Sequence, residues 1–220
     1  KKVFTTIVFL TLLHGTYSQR WENIYGNQGS DESFRDLTES YDKGYILSAY
    51  QENPQGNLIM KSGINGNILW DKLLFWEDTF VYSGYVTQDY NGNTIIASTI
   101  NSEENGSWPM IIKLDSCGNR EWCRVFPQYG YEFGFYKDIL PMDNDDYLVL
   151  GHFESFEHSD QVFLDYVDKN GNMLWRKAYA KEEDYPLIAS PSASGLYKNG
   201  SNYYICGSCY WPYPDNPSHV

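Results

Sequence analysis

Short apolar runs alternate with polar turns along most of the chain. Four of these runs follow a turn and end in small residues, and they cover residues 45–49, 94–98, 147–151 and 203–207. Asn-Gly and Asp-x-Gly turns between β-branched or aromatic runs predict hairpins, which we expect to use primed turns with positive φ. Beyond the N-terminus no long stretch has apolar residues at the helical spacing, so helix is expected to be nearly absent. The pattern predicts an all-β chain of antiparallel hairpins.

A tryptophan after a second kind of turn recurs at a nearly constant interval. The turn glycines are Gly66, Gly118 and Gly171, and the tryptophans Trp70, Trp122 and Trp175 lie 122 − 70 = 52 and 175 − 122 = 53 residues apart. Such a period is in the range of kelch-like propeller repeats, about 40 to 50 residues. Each unit is expected to be a four-stranded antiparallel blade that must stack on its neighbours. The three tryptophans are then expected to pack between blades.

The repeats predict how the chain is divided. We expect a partial β-propeller domain over residues 19–220, with units ending near each repeat tryptophan and a partial fourth unit after them. About three and a half blades form an incomplete ring, since closed propellers typically have four to eight. The chain is therefore expected to be a fragment of a longer protein.

The N-terminus has the pattern of a secretory signal peptide. Lys1 and Lys2 precede an apolar run over residues 3–13, and small residues lead to a predicted cut after Ser18. The apolar run is shorter than the roughly 20 residues that cross a bilayer. Residues 1–18 are therefore predicted to be a leader, and the mature chain is predicted to be secreted or on the outer cell surface, without a transmembrane span.

The charged residues of the chain limit the classes of partner and cofactor that are expected. With 16 Lys+Arg against 29 Asp+Glu, the net charge of −13 argues against nucleic acid as a partner. The Asp-x-Asn-x-Asn turns starting at Asp89 and Asp168 resemble the start of a calcium loop, but their glycine is fourth instead of sixth. Ile100 and Tyr179 occupy the twelfth position of the two turns, where a calcium loop has its chelating glutamate. Hairpin turns are the favoured interpretation, calcium remains the alternative, and no cofactor is predicted.

Cysteine usage leaves two alternatives open. Cys117 and Cys123 occur together in one repeat of a predicted secreted chain, which favours a disulfide. A tight turn at Cys117 would instead leave Cys123 too far down the return strand for a bridge. The sequence contains no G-x-S-x-G, H-E-x-x-H or phosphate-binding glycine loop, so no catalytic residue is predicted.

Three further tryptophans are candidates for ligand contact. Trp76, Trp108 and Trp211 fall outside the repeat phase in predicted loops, where an aromatic ring is available to stack on a glycan.

The repeat motif also resembles known families. Leu114-Asp115-x-x-Gly118-Asn119-x-x-Trp122, behind a leader cut before a glutamine, resembles secreted propeller-repeat proteins of Bacteroidetes that are exported by type IX secretion. That resemblance implies a non-catalytic extracellular or cell-surface binding or adhesion scaffold with a glycan or protein ligand.

Two alternative functions remain open. The same motif is similar to the docking motif of pyrroloquinoline-quinone-type propellers, which implies a quinoprotein dehydrogenase or an assembly scaffold. An accessory domain of a secreted hydrolase is the other alternative. A binding module predicts aromatic residues gathered on loops, whereas an enzyme predicts polar groups converging on a central channel.

Overall fold

The computed structural model describes residues 22–26, 29–76, 79–102, 106–128, 130–154, 160–179 and 190–210. Within these ranges all regular structure is β, in agreement with the all-β prediction, and no helix occurs. The predicted signal peptide and Trp211 lie outside the described residues. The strands are β1 Glu32–Glu39, β2 Tyr45–Gln51, β3 Gly56–Ser62, β4 Ile68–Leu74, β5 Phe80–Val81, β6 Tyr85–Gln88, β7 Thr94–Ser102, β8 Gly106–Leu114, β9 Arg120–Val125, β10 Phe133–Pro141, β11 Tyr147–Glu154, β12 Gln161–Val167, β13 Met173–Tyr179, β14 Ser190–Asn199 and β15 Asn202–Tyr210.

These strands form three successive antiparallel meanders followed by a hairpin. The first unit is β1–β4, the third unit is β10–β13, and the terminal hairpin is β14–β15. In the second unit the first strand is interrupted, because β5 and β6 both pair with β7, and β8 and β9 complete the sheet. A single parallel pair, Phe133 with Ser107, joins the second and third units. The four-stranded antiparallel units expected from the sequence are confirmed.

Six turns of one type end these hairpins, and they differ from the primed turns expected. Each closes with two main-chain hydrogen bonds over five residues, at 40–44, 63–67, 89–93, 115–119, 142–146 and 168–172. In every case only the fourth residue has positive φ, as at Gly118 with 81° and Lys43 with 65°. A type I turn followed by one left-handed residue explains this pattern, because it needs a single position with positive φ. The register of β3, β8 and β12 shifts at these turns, as expected for the bulge that accompanies them.

The hydrophobic core lies in layers between consecutive units. One buried cluster joins Ile46 and Ile59 of the first unit to Ile96 and Ile112 of the second. A second cluster joins Ile95, Ala97 and Ile111 to Tyr147, Val149 and Phe163 of the third unit, and a smaller cluster joins the third unit to the terminal hairpin. Strands β7 and β11 are buried on both faces, so their apolar runs are nearly continuous. Each unit is therefore stabilised mainly by the sheets beside it.

Candidate functional site

The repeat tryptophans join each unit to the turn of the next. Nε1 of Trp70 donates a hydrogen bond of 3.0 Å to the Ser116 carbonyl, and Nε1 of Trp122 donates one of 3.2 Å to the Lys169 carbonyl. A Cβ added at Gly118 would lie 3.0 Å from the Trp70 ring, which shows how closely the indole covers that glycine. These two tryptophans lie between units, where each indole N–H donates its hydrogen bond to a backbone carbonyl of the next unit's turn.

Trp175 occupies the same phase in the third unit. Its ring stacks on Tyr166 with centroids 5.4 Å apart and planes 6° apart, and the residue is 44% exposed. Gly171, in the turn before it, is covered by Trp122, since an added Cβ would lie 3.1 Å from that ring.

The aspartate side chains of the turns accept hydrogen bonds from backbone amides of the same turn. Oδ1 of Asp115 accepts from the amides of Cys117 and Asn119, and Oδ2 accepts from the Asn119 side chain. These hydrogen bonds lower the pKa of the Asp115 carboxyl. In Asp89 burial opposes ionisation, but hydrogen bonds from Asn93 and Lys113 outweigh it and lower the pKa. The carboxylates thus act as turn supports, and within the described ranges no three His, Cys, Asp or Glu side chains are grouped so that they could hold a metal ion.

Cys117 and Cys123 are free thiols, so the disulfide considered from the sequence does not form in this structure. Cys117 lies exposed in the turn, whereas Cys123 lies on β9 opposite Ile112 and packs against the core between the first two units. The tight turn that forms at Gly118 sends the return strand away from it. Burial raises the pKa of the Cys123 thiol, which makes it a weak nucleophile.

Carboxylates on the first strands of two units make contacts between units. Oδ2 of Asp36 accepts a hydrogen bond of 2.8 Å from the Val86 amide, and Oδ2 of Asp138 accepts one of 2.6 Å from the Leu196 amide. Burial raises the pKa of Asp138. Both aspartates follow a bulge in their strand, which turns the carboxylate toward the neighbouring sheet. Each of these two carboxylates therefore links its own sheet to the next sheet by a hydrogen bond.

A groove of about 620 Å³ lies between the first and second units, and we call it the aromatic groove. Its lining comes from the loop before β3, the connection from β4 to β6 and the end of β7, and consists of Gln55, Phe75, Trp76, Thr79, Phe80, Tyr82 and Asn101. Four of these seven described side chains are aromatic, and none of the seven carries a carboxylate, an amine, a guanidinium or a thiol. The groove therefore combines apolar ring faces with amide and hydroxyl groups.

Packing holds three of the four rings of this groove in place. The Phe80 ring meets the Tyr82 ring edge to face, with their centroids 4.6 Å apart. On its other contact, the Phe80 ring lies 5.4 Å from the Tyr50 ring, centroid to centroid. The guanidinium of Arg120 lies 5.4 Å from the centre of the Trp76 ring. Because Trp76, Phe80 and Tyr82 each have such a neighbour, these three side chains have little freedom left to lose on binding a ligand.

The groove also has polar side chains beside its rings. Oγ1 of Thr79 is buried and has no hydrogen-bond partner in the described part of the chain. The amides of Gln55 and Asn101 each offer one acceptor and two donor hydrogens. A ligand with several hydroxyl groups matches this set of donors and acceptors.

The sequence identified only one member of this groove, Trp76. Trp108 is half-buried on β8 opposite Ile100 and does not contribute to the lining. The partners of Trp76 come from segments up to 46 residues apart, from Gln55 to Asn101. The concentration of aromatic residues between positions 75 and 85 was the local signal that could have found most of them.

No helix among the described residues has the length and apolar character needed to span a bilayer. No family model matches the chain, and no curated protein matches it. Among solved structures, one described as the crystal structure of the eukaryotic initiation factor matches with 11% identity and a TM-score of 0.28. That match covers 75% of this chain and 46% of the other chain, so this chain spans less than half of that structure. Such a TM-score does not indicate a shared fold.

Proposed function

We propose that the protein is a secreted, non-catalytic binding scaffold whose units are blades of a β-propeller. The support for this architecture is the repeated four-stranded meander with buried clusters between consecutive sheets. The motif resemblance supports a position outside the cell. In this proposal the blades hold ligand-contacting residues on the connections between strands, as rigid β scaffolds commonly do.

We further propose that the ligand is a glycan and that it binds in the aromatic groove. The observation that carries this proposal is the composition of the groove: four aromatic rings beside two side-chain amides among the described residues. Sugar rings present apolar C–H faces that stack on aromatic rings and hydroxyl groups that pair with amides. Phe75, which is 59% exposed, would be the outermost stacking surface.

A glycan array followed by titration calorimetry with the oligosaccharides retained tests this function. We expect Phe75→Ala and Trp76→Ala to reduce the affinity by about tenfold or more each, the loss that corresponds to about 1.4 kcal/mol. Phe34→Ala is the matched control, because Phe34 is 64% exposed on β1 and does not line the groove. The proposal would be contradicted if the array retained no glycan, or if Phe34→Ala lost as much affinity as the groove variants.

A further inference from the structure

Asn-Gly pairs recur in the turns of this chain, and such pairs are chemically reactive. The backbone nitrogen of the glycine is able to attack the side-chain amide of the asparagine before it, because glycine has no side chain to shield that nitrogen. The attack also requires a nitrogen that is free of a hydrogen bond and a backbone that is able to rotate. Both members of such a pair are described at residues 65–66, 91–92, 170–171 and 199–200, whereas 105–106 lies partly outside the described residues.

The first three of these pairs are held in place by their turns. In the turns 63–67, 89–93 and 168–172 the glycine amide donates a hydrogen bond of 2.9 Å to the carbonyl of the first turn residue. Each glycine has a further contact: the Gly66 carbonyl accepts a hydrogen bond from the Tyr25 hydroxyl, the Gly92 carbonyl accepts one from the Gln88 side chain, and the Trp122 ring covers Gly171. In these three pairs the attacking nitrogen is engaged and the backbone around it is fixed.

The pair at the tip of the terminal hairpin has none of these restraints. The strand pairing of β14 and β15 ends at Asn199 and Asn202, so Gly200 lies in the two-residue loop beyond the ladder. Its amide donates no hydrogen bond to another described residue. Asn199 and Gly200 are both exposed, and a Cβ added at Gly200 would meet nothing within 4 Å. By contrast, Gly66 and Gly171 are buried.

We propose that Asn199 is a site of spontaneous covalent modification, at which its side-chain amide is converted to a carboxylate. The Gly200 nitrogen loses its proton to solvent and forms a bond to Cγ of Asn199. The bond from Cγ to Nδ2 then breaks, and Nδ2 leaves as ammonia after taking a proton from water. Water next adds to either carbonyl of the resulting succinimide ring and opens it. Opening at one carbonyl gives aspartate, opening at the other gives isoaspartate, and no oxidation or reduction takes place.

The product changes the charge of the turn that joins the terminal hairpin to the third unit. Lys198, the residue before Asn199, pairs with Asp143 of the turn 142–146 at 3.0 Å. A carboxylate at position 199 adds a second acidic group beside that amine. The isoaspartyl form also inserts the Cβ atom of residue 199 into the main chain at the last pair of the ladder. This inference depends on the four turns and not on the ligand of the aromatic groove.

Peptide mapping by mass spectrometry tests the proposal on the folded full chain, sampled over time in a mildly alkaline buffer at constant temperature. The measured quantity is the rate at which each asparagine of the four pairs gains the mass of the carboxylate product. We expect the rate at Asn199 to exceed each of the other three by about tenfold or more, because those pairs must first break a turn hydrogen bond. Equal rates at the four positions, or a faster rate at one of the other three, would overturn the proposal.

The same measurement in concentrated urea separates structure from sequence. All four pairs have the same two residues, so their rates are expected to converge once the turns are unfolded. An unchanged excess at Asn199 in urea would show that the hairpin tip is not the cause.

Gly200→Ala is the matched variant for the attacking nitrogen. Its methyl group shields that nitrogen, so we expect slower modification at Asn199 and unchanged rates at the other three positions, with circular dichroism to check folding. An unchanged rate at Asn199 would contradict attack by this nitrogen. The absence of isoaspartate from the product, measured with an isoaspartyl methyltransferase, would contradict the succinimide route.

Discussion

The indole Nε1 of Trp70 donates a hydrogen bond to the main-chain carbonyl of Ser116, 46 residues later, at 3.0 Å. The same ring covers Gly118, which has a φ of 81° and is buried. One side chain thus ties the last strand of a unit to the turn of the next by a hydrogen bond and by packing. Trp122 makes the same two contacts with Lys169 and Gly171.

Replacing Trp70 by phenylalanine is expected to separate these two contributions. Phenylalanine retains most of the ring but leaves the Ser116 carbonyl without its donor, so we expect a loss of about 1 kcal/mol in the free energy of unfolding. Trp70→Ala also removes the packing and is expected to cost about 3 kcal/mol. Urea unfolding measures both. Equal losses for the two variants would show that the ring itself contributes little.

Alanine at Gly118 is expected to be more destabilising than alanine at Gly200. Both glycines have positive φ, 81° and 61°, and a left-handed alanine costs about 1 kcal/mol. At Gly118 the new Cβ also lies 3.0 Å from the Trp70 ring, whereas at Gly200 it meets nothing within 4 Å. The difference in the urea midpoint between the two variants therefore reports the fit between indole and turn. Equal midpoints would contradict this.

The buried pair of Asp165 and Arg176 is expected to be intolerant of single substitutions. Nε and Nη2 of Arg176 donate to the fully buried Asp165 carboxylate at 2.6 and 2.7 Å, and the Tyr136 hydroxyl donates to it at 2.6 Å. Arg176→Met leaves a buried charge unpaired and is expected to cost about 3 to 5 kcal/mol. The double variant with Asp165→Asn should recover part of that loss. A double-mutant cycle by urea unfolding checks it, and additive losses would contradict the coupling.

The carboxylate of Asp89 is expected to stabilise the fold fully above its unfolded pKa and progressively less below it. Its folded pKa is lowered, so its contribution to the free energy of unfolding is complete above about pH 4 and decreases as the pH falls through the folded pKa. Asp89→Asn removes this contribution, which includes the ion pair with Lys113 at 3.2 Å. Urea unfolding from pH 7 to 3 should show a stability difference from wild type that is constant at neutral pH and shrinks below about pH 4. A constant difference throughout would contradict this.

Local sequence was sufficient to identify the units and the positions of their turns. The alternation of apolar and polar residues identified the strands, and the glycines at 66, 118 and 171 marked turns, because a left-handed residue is needed there whatever surrounds it. The turn type was mistaken, since Asn-Gly suits both a primed turn and a type I turn with a bulge. The five-residue hydrogen-bond pattern of each turn was needed to distinguish them.

The candidate site required the tertiary structure. Trp76 was recognised from its residue type, but its neighbours Gln55 and Asn101 belong to the loop before β3 and to β7, and their approach depends on how two sheets stack. Trp108, chosen on the same grounds, lies in β8 outside the groove because the strand extends further than its sequence suggested. Sequence by itself determined the repeat, the turns and the phase of the tryptophans, since these follow from short-range backbone preferences. The packing of one unit on the next decided the rest, because burial and proximity are properties of residues far apart in the chain.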